Sequence, residues 1–201
     1  MRKIESRDTS ISKALSFLLR HGALKAGLPM QSDGFVDVNS ILGHPEMQRR
    51  GVQLVDLQRI VKNDQKKRFT MEGNRIRANQ GHSMKEVSDL ELTKLDKIDF
   101  DVVHGTYFRY WEAIRSEGLK KMQRNFIHFA STAVFKDAVS GFRSDSEILI
   151  FVDTTKAMQD GIEFYRSANG VVLTEGKNGI LEPKYFLKVV DRKRGNTLNV
   201  L

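Results

Sequence analysis

Residues 66–80 read KKRFTMEGNRIRANQ, and two short segments within them alternate between apolar and polar residues. Phe69 and Met71 lie in the first segment, and Ile76 resumes the alternation in the second. A period of two is typical of a strand with one buried face, and the Gly-Asn pair between the segments favours a two-residue hairpin turn. We therefore predict a β-hairpin in this stretch.

The residues before this hairpin show helical spacing. Apolar residues recur three and four positions apart between residues 11 and 19 and again between residues 54 and 61, which predicts two amphipathic helices. Between them, GFVDVNSIL at residues 34–42 predicts a short extended piece and then a helix capped by Asp37. Helices followed by a β-hairpin are typical of a winged-helix domain.

The second half of the chain has a different pattern, which follows a charged connector at residues 83–99. Short apolar segments predict several strands with few helices, among them FDVVHGT, NFIHFAST, SEILIFVD and EPKYFLKVVD. FYRSANGVVLT predicts another hairpin, turning at Asn169 and Gly170. We therefore predict an α+β protein with a winged-helix lobe at residues 1–97 and a mixed, mainly antiparallel lobe at residues 98–201.

The net charge of +8 is concentrated in the first half of the chain. Residues 1–98 carry 18 Lys and Arg against 12 Asp and Glu, whereas residues 99–201 carry 15 against 13. An excess of cations favours a polyanionic partner such as RNA. The chain has no membrane-spanning apolar run, no signal-like N-terminus and no Cys. We expect an intracellular protein, in the cytoplasm, the nucleus or both, with no membrane partner.

The motifs of several common sites are absent from the sequence. It contains no Walker P-loop, no GxGxxG after a predicted strand, no HExxH and no nucleophile elbow. Its five His are scattered and it has no Cys, so we expect no metal site. The expected chemistry therefore depends on arginine and histidine.

The segment SFLLRHGA, residues 16–23, ends an apolar helical run in Arg20, His21 and Gly22. One interpretation is structural, since cations favour the last turn of a helix and Gly commonly follows its end. The other is that both side chains hold an anion. Arg binds phosphate through two parallel hydrogen bonds, and His can exchange a proton near neutral pH. These residues alone leave both interpretations open.

Further arginines stand near the ends of predicted strands. Arg68 follows two lysines at the start of the hairpin, and Arg75 and Arg77 share one face of its second strand. Arg143 precedes the strand SEILIFVD. Taken singly, each is typical of a solvated surface arginine. Taken together with His21, they provide the several cations and the titratable group that a site for a dianionic phosphate requires.

Motifs from about residue 10 to residue 190 resemble those of one family. In chain order they are LSFLLRHGALKAGLPMQSDGFV, KKRF, IRANQGHS, HGT followed by W, I and GL, RNFIHFA, GFRS followed by EILIFVD, and FYRSANGVVLT. Together they resemble the tRNA 2′-phosphotransferases, which use NAD⁺ to remove the internal 2′-phosphate left at a splice junction. GFRS departs from the commoner GMRS. The C-terminal RKRGNTLNVL lies outside the shared pattern, and we expect a solvated end there rather than an RNA-binding arm.

The resemblance implies a fold and a reaction. The N-terminal lobe is expected to be a winged helix and the C-terminal lobe to be of ADP-ribosyltransferase type, facing each other across a cleft. The RNA 2′-phosphate attacks the anomeric carbon of the nicotinamide ribose and expels nicotinamide. The ribose 2″-hydroxyl then attacks phosphorus, which releases RNA with a free 2′-hydroxyl and ADP-ribose 1″,2″-cyclic phosphate. NAD⁺ is thus a consumed co-substrate, and we expect the protein to act as a monomer.

The resemblance also implies catalytic residues. The family's constellation falls on Arg20, His21, Arg68 and Arg143, with Lys66 in support. We expect Arg20 and Arg68 to bind the 2′-phosphate and Arg143 to stabilise the second transition state. His21 is expected to hydrogen-bond the phosphate or to exchange a proton with the ribose hydroxyl. The neighbouring cations that we expect to contact phosphate or RNA are Lys66, Lys67, Arg75 and Arg77.

For NAD⁺, the resemblance points to the C-terminal lobe. His104 is expected to contact a cofactor ribose, and the backbone of Gly105 is expected to take the nicotinamide amide. The remaining expected contacts are Thr106, His128, Ser131 and Asn169. Without the resemblance, His128 is typical of a buried strand histidine. Trp111 and Phe164 are expected in the core.

Three alternatives stand beside this function. The first is an ADP-ribosyltransferase that acts on terminal phosphates of nucleic acids and stops after the first step. The second, a protein-modifying transferase, is disfavoured because no late catalytic Glu stands in a recognisable motif. The third is a non-enzymatic winged-helix protein that binds nucleic acid, which would leave the grouping of Arg20, Arg68 and Arg143 unexplained.

Overall fold

The computed structural model describes residues 2–88, 90–131 and 145–199, with side chains from residue 6 onward. The chain divides into two compact units, Met1–Glu91 and Leu92–Leu201. Helices and strands occur in both, and the strand pairs of the described residues are antiparallel. The predicted α+β class with mainly antiparallel sheets is confirmed.

The first unit combines short helices with a small sheet. Its helices are α1 (Arg2–Phe17), α2 (Val38–Gly43), α3 (Pro45–Arg49) and α4 (Leu54–Asn63), and its strands are β1 (Val36–Asp37), β2 (Phe69–Glu72) and β3 (Arg75–Ala78), in the order β1-β3-β2. The predicted hairpin is confirmed, since Phe69 pairs with Ala78 and Gly73 has the left-handed φ of 56° that the turn requires. Asp37 caps α2, because its carboxylate accepts a hydrogen bond from the N–H of Ser40.

The first helix ends in a turn that carries Arg20 and His21, as the sequence predicts, although Gly22 lies inside this turn rather than past it. α1 runs directly into one π-helical turn, Leu18–Gly22, which carries Arg20 and His21. Gly22 lies inside this turn, where a Cβ atom would come within 3.0 Å of the Phe17 ring. Such wide turns are rare and are frequent at functional sites. Arg20 and His21 therefore lie in a last helical turn of unusual geometry.

An ion-pair network fixes α1 against α4. Arg7 Nη1 donates to Asp56 Oδ1 at 2.9 Å, and Arg59 Nη2 donates to Asp8 Oδ1 and to Asp56 Oδ1, both at 2.7 Å. The hydrogen bonds from Arg7 hold the pKa of the nearly buried Asp56 carboxyl well below its ordinary value. The π-helical turn thus extends from a helix that is anchored at its other end.

The second unit is built on an extended sheet. Its strands are β4 (Leu92–Lys94), β5 (Val102–Thr106), β7 (Ile127–Ser131), β8 (Ile148–Val152), β9 (Tyr165–Ser167), β10 (Val172–Thr174), β12 (Phe186–Asp191) and β13 (Thr197–Leu198). Their order in the sheet is β13-β12-β8-β5-β7-β10-β9-β4. The other elements of the described ranges are the paired strands β6 (Leu119–Lys120) and β11 (Ile180–Leu181), helices α5 (Phe108–Glu117) and α6 (Thr154–Gln159), and a 3₁₀ turn at Pro183–Tyr185.

Two sequence predictions for this unit are confirmed. Trp111 and Phe164 are buried in its apolar core, together with Phe129. The hairpin of β9 and β10 turns at residues 169–170, where Gly170 has a φ of 80°. The core therefore packs against the central strands β5 and β7, and these two strands carry the candidate cofactor residues other than Asn169.

Two edge strands were not expected from the sequence. β4 lies in the charged segment interpreted as a connector and pairs with β9, so the first unit ends at Glu91 rather than at residue 97. β13 lies in the basic C-terminal stretch and pairs with β12. Residues 192–197 are exposed, so the expected solvated end is confirmed, although part of the stretch pairs as an edge strand. Both strands are short and polar, as edge strands commonly are, and lack the apolar alternation on which prediction depends.

Within the described ranges, no helix has the length and apolar character needed to cross a membrane. Nor do the described residues bring three or more His, Asp or Glu side chains together in a way that could hold a metal ion.

Candidate phosphate and cofactor sites

The loop that carries Arg68 is tied to the segment NQGHS, residues 79–83. The N–H of Asn79 donates to the Arg68 carbonyl at 2.8 Å, and the Asn79 side-chain amide donates to the Lys67 carbonyl at 2.7 Å. The Thr70 hydroxyl donates to Asn79 Oδ1 at 2.7 Å. Asn79, at the start of this segment, therefore fixes the backbone of residues 66–68, which we call the cationic loop.

The same segment contacts Arg20 and His21. The N–H of Ser83 donates to the Arg20 carbonyl at 3.0 Å, and the Ser83 hydroxyl lies 3.0 Å from His21 Nδ1. Gly81 has a left-handed φ of 91°, and a Cβ atom there would lie 3.3 Å from Arg20 Nε. The Arg20 side chain thus packs closely against a residue that has no side chain. Residues 79–83 therefore contact both the Arg20–His21 pair and the backbone of Arg68, although the pair and Arg68 are distant in sequence.

A buried carboxylate holds the guanidinium of Arg68. Asp64 Oδ1 accepts from Arg68 Nη1 at 2.5 Å, while Oδ2 accepts from the Arg68 N–H at 2.6 Å and Oδ1 from the Lys66 N–H at 3.2 Å. The Asp64 side chain is 6% exposed, whereas that of Arg68 is 34% exposed. Asp64 therefore holds the guanidinium from its buried side. Part of the guanidinium remains exposed, where a ligand can reach it.

Replacing Asp64 is expected to destabilise the first unit. Asp64→Ala removes the acceptor of two backbone N–H groups and the ion-pair partner of Arg68, so the free energy of unfolding should fall by about 2 kcal/mol. Glu72→Ala is the control, because Glu72 is half exposed and lies 3.5 Å from Arg75 in a surface pair worth less than about 1 kcal/mol. Urea denaturation measures both variants, and equal losses would show that Asp64 does not organise the loop.

The two lysines of this loop differ in their surroundings. Lys66 is partly buried, and burial together with the nearby Arg68 guanidinium lowers its pKa below the ordinary value. Lys67 is exposed and adopts a left-handed φ of 45°, which is uncommon for a residue with a side chain. Positive charge is therefore concentrated in this loop. A bound anion would reduce the repulsion among the cationic side chains of Lys66, Lys67 and Arg68.

Arg75 and Arg77 share a strand face, as predicted, and both guanidinium groups stack on Phe35, at 4.4 and 4.5 Å from the ring centre. Arg77 is 3% exposed and donates to Glu91 at 2.6 Å and to the Asp33 carbonyl at 3.3 Å. Arg75 is exposed over nearly half of its side chain and pairs with Asp33. Only Arg75 of the two presents its guanidinium to solvent.

His82 is a buried member of the same segment that the sequence did not single out. Its ring is 2% exposed, and neither ring nitrogen has a hydrogen-bond partner. Burial, reinforced by the positive charges of Arg20, His21 and Arg77, lowers the pKa of His82 to about 3. The ring is therefore neutral at neutral pH and fills space behind the two candidate residues without adding charge.

The low pKa of His82 has a consequence for stability at acidic pH. Because the unfolded chain binds a proton near pH 6.5 and the folded chain does not, stability is lost as the pH falls below 6.5. Between pH 7 and pH 5, His82 should lower the free energy of unfolding by about 2 kcal/mol. His82→Leu, which leaves no buried donor unpaired, should be correspondingly less sensitive in urea denaturation at these two pH values. Equal pH sensitivity of the two proteins would contradict this account.

In the second unit, a hydrogen bond sets the tautomer of His104. Its Nδ1 lies 2.9 Å from the carbonyl oxygen of His128, and since a carbonyl only accepts, Nδ1 carries the hydrogen. Packing around the ring lowers the pKa of His104. At neutral pH the ring is therefore neutral, with Nε2 as a hydrogen-bond acceptor.

The strand register separates the candidate cofactor residues into two groups. Val102 pairs with Ser131 and Val103 with Ala130, so His104, Thr106 and Ser131 share one face of the sheet. The His128 side chain lies on the opposite face and contributes to the first group only through its carbonyl.

The other candidate cofactor residues lie close by in the sheet. Gly105 is partly exposed on β5, opposite Leu149. Asn169 is buried in the β9–β10 turn, where its Oδ1 accepts from the Ser167 hydroxyl at 2.8 Å. β10 is the neighbour of β7, so this turn belongs to the same region of the sheet as Ser131 and His128.

Comparison with known proteins gives these sites a family. Residues 6–176 match the model of the RNA 2′-phosphotransferase, Tpt1 / KptA family. The chain belongs to this family. It is 47% identical to the tRNA 2′-phosphotransferase 1 of Danio rerio over 197 residues, which cover 92% of this chain and 86% of that protein. It is 46% identical to the putative tRNA 2′-phosphotransferase of Schizosaccharomyces pombe (94% of this chain, 53% of that protein) and 38% identical to the probable RNA 2′-phosphotransferase of Rhizobium johnstonii (84% and 89%).

All the site residues predicted from the sequence, including Arg143, lie within the residues that match the family. Arg143 itself lies outside the residues that the structure describes. Asp64, Asn79 and His82 were missed by reasoning from the sequence. The motif IRANQGHS contains Asn79 and His82, but the sequence does not show what they contact. Their neighbours lie in the loop before β2 and in the π-helical turn, and a contact between distant segments produces no local sequence pattern.

Proposed function

We propose that this chain removes the internal 2′-phosphate of a tRNA splice junction and consumes NAD⁺, giving 2′-hydroxyl RNA, ADP-ribose 1″,2″-cyclic phosphate and nicotinamide. The proposal depends above all on the contacts that residues 79–83 make with both the Arg20–His21 pair and the backbone of Arg68, in a member of this family. tRNA as substrate is supported by the names of the Danio rerio and Schizosaccharomyces pombe relatives.

The two units have separate proposed roles. The first, Met1–Glu91, is proposed to be a winged-helix RNA-binding domain, supported by short helices followed by the hairpin of β2 and β3. The second, Leu92–Leu201, is proposed to be an NAD⁺-binding domain of ADP-ribosyltransferase type, supported by the polar side chains on its central antiparallel strands.

Arg20 and Arg68 are proposed to bind the 2′-phosphate. A phosphate is already ionised at neutral pH, so it needs no strong general base to act as a nucleophile. It needs cations that reduce its repulsion from the NAD⁺ pyrophosphate, and guanidinium groups held in place supply them without reorganisation. Lys66, Lys67 and Arg75 are proposed as further RNA contacts, whereas the buried Arg77 supports Arg75 through Phe35.

His21 is proposed to hydrogen-bond the phosphate or to move a proton to or from a ribose hydroxyl. The Ser83 hydroxyl, 3.0 Å from Nδ1, orients its imidazole, so proton exchange is assigned to Nε2. The neutral ring of His82 behind this pair adds no competing charge.

The second unit contains groups that fit NAD⁺, which supplies an electrophilic ribose carbon and a leaving group. Nε2 of the neutral His104 can accept a hydrogen bond from a ribose hydroxyl, and His128 fixes the ring through its carbonyl. Thr106 and Ser131, on the same sheet face, offer further hydroxyl groups, with Asn169 in the neighbouring turn. The backbone of Gly105 is the proposed contact of the nicotinamide amide.

A product assay tests this function. An oligonucleotide with one internal 2′-phosphate is incubated with the protein, with and without NAD⁺. Nicotinamide, ADP-ribose 1″,2″-cyclic phosphate and 2′-hydroxyl RNA are expected in equal amounts, and only with NAD⁺. Phosphate removal without NAD⁺, or no reaction in its presence, would overturn the proposal.

A further inference from the structure

A cavity of about 620 Å³ in the second unit has a lining that contains none of the proposed NAD⁺ contacts. It is lined by Phe108 at the start of α5, by residues 145–147 before β8, and by residues 191–194, which comprise the end of β12 and the turn that follows it. Its volume lies in the range of small-molecule sites, about 300–1,000 Å³. The hydroxyl of Ser146 is buried in this wall without a hydrogen-bond partner, although buried polar groups are nearly always paired.

Part of the lining is a cationic turn that internal hydrogen bonds close. The carboxylate of Asp191 is buried beneath it and accepts hydrogen bonds from the N–H groups of Lys193 at 2.9 Å and Arg194 at 3.1 Å. Gly195, with a φ of 74°, donates back to the Asp191 carbonyl at 2.7 Å. The turn is thereby closed by internal bonds, and the side chains of Lys193 and Arg194 are exposed.

The adjoining part of the lining offers an aromatic ring and carboxylates. Phe108 is 45% exposed although its backbone is fixed, since its N–H donates to Glu147 Oε2 at 2.9 Å. Asp145 accepts from the Tyr107 hydroxyl at 3.0 Å. Both carboxylates are exposed and retain acceptor capacity beyond these bonds.

We propose that this cavity binds one nucleotide of the substrate RNA, at a position other than the one that carries the 2′-phosphate. Lys193 and Arg194 would contact a backbone phosphate, and Phe108 would stack on the base. Asp145 or Glu147 would accept from a base amino group. A wall of mixed charge suits a nucleotide, which has an anionic phosphate and hydrogen-bond donors on its base. The inference rests on the proposed RNA substrate.

This site differs from the phosphate site of the first unit in its relation to the family. Residues 191–194 lie beyond residue 176, where the family match ends. Phe108 and residues 145–147 lie inside the match, so only the cationic turn lies beyond it. The cavity would add RNA affinity to the proposed reaction without taking part in it. NAD⁺ also contains nucleotides, but its proposed contacts lie on β5, β7 and the β9–β10 turn, outside this lining.

The test compares Lys193→Glu/Arg194→Glu with the control Lys97→Glu/Lys177→Glu, which reverses two exposed lysines of the same unit. Two 2′-phosphorylated probes are used, a trinucleotide and an oligonucleotide of about 20 nucleotides, longer than the 4–16 that single-strand-binding folds cover. For the longer probe the Kd should rise about tenfold, and the slope of log affinity against log salt should flatten by about 1.4. Phe108→Ala should also raise this Kd about tenfold.

For Lys193→Glu/Arg194→Glu, the kcat/KM for the trinucleotide and the KM for NAD⁺ should equal those of the control variant Lys97→Glu/Lys177→Glu. Equal Kd values of the test and control variants for the longer probe would overturn the proposal. So would a raised KM for NAD⁺, which would assign the cavity to the co-substrate, or an equal loss on the trinucleotide. Failure of the proposed function is distinguishable, because the unaltered protein would then be inactive on both probes.

Discussion

Arg68→Ala is expected to lower kcat/KM on a 2′-phosphorylated RNA by about 10²–10³. Asp64 holds the Arg68 guanidinium at 2.5 Å, so it can meet a phosphate in a fixed orientation. The interaction of the Arg68 guanidinium with the phosphate should strengthen as negative charge grows on the non-bridging phosphate oxygens. Arg68→Lys keeps the charge but loses the two parallel donors, and an intermediate loss is expected. Steady-state kinetics on an oligonucleotide with one internal 2′-phosphate measures both variants.

Two controls separate this effect from folding. Arg49→Ala removes an arginine of the same unit whose side chain is 75% exposed in a surface pair with Glu46, and kcat/KM should not change. Arg68→Lys keeps a cation beside the buried Asp64 carboxylate. Its stability should be closer to that of the unaltered protein than the stability of Arg68→Ala, while its rate should still be reduced. A rate that recovers fully in Arg68→Lys would show that the planar guanidinium is not needed.

Arg143→Ala is expected to separate the two chemical steps. Formation of the cyclic phosphate should slow by about 10²–10³, while nicotinamide continues to be released. In the proposed mechanism, the second step attacks phosphorus and builds negative charge on its oxygens, which a guanidinium stabilises. The first proposed step develops its charge at the ribose and the leaving nicotinamide instead. This role of Arg143 rests on the family membership of the chain.

Nicotinamide and cyclic phosphate are measured in the same samples over time. Arg115→Ala, which breaks a surface pair with Glu112 in the same unit, should leave both rates unchanged. An equal loss of both products in Arg143→Ala would refute its assignment to the second step.

Local periodicity explains which parts of the fold could be predicted. The hairpin of residues 69–78 combines alternating apolar and polar residues with a Gly-Asn turn, and the hairpin of β9 and β10 has an Asn-Gly turn at residues 169–170. Trp111 and Phe164 lie in apolar segments that a core of this size must bury. The shared face of Arg75 and Arg77 follows from strand geometry alone.

The remaining features depend on contacts between distant segments. Arg77 resembles Arg75 in sequence, but Glu91 and the Asp33 carbonyl hold it in the interior. Asp64 and His82 acquire their surroundings only when the cationic loop and the π-helical turn meet residues 79–83. The short strands β4 and β13 depend on the partner strand at the sheet edge.

The most direct test of whether Arg20 and Arg68 hold the 2′-phosphate is the binding of two oligonucleotides that differ only in one internal 2′-phosphate. Affinities are measured without NAD⁺ over a range of salt concentrations. The phosphorylated strand should bind more tightly with a steeper salt dependence, and Arg20→Ala and Arg68→Ala should each reduce this difference. Equal affinity for the two strands, or a difference that survives both substitutions, would contradict the account.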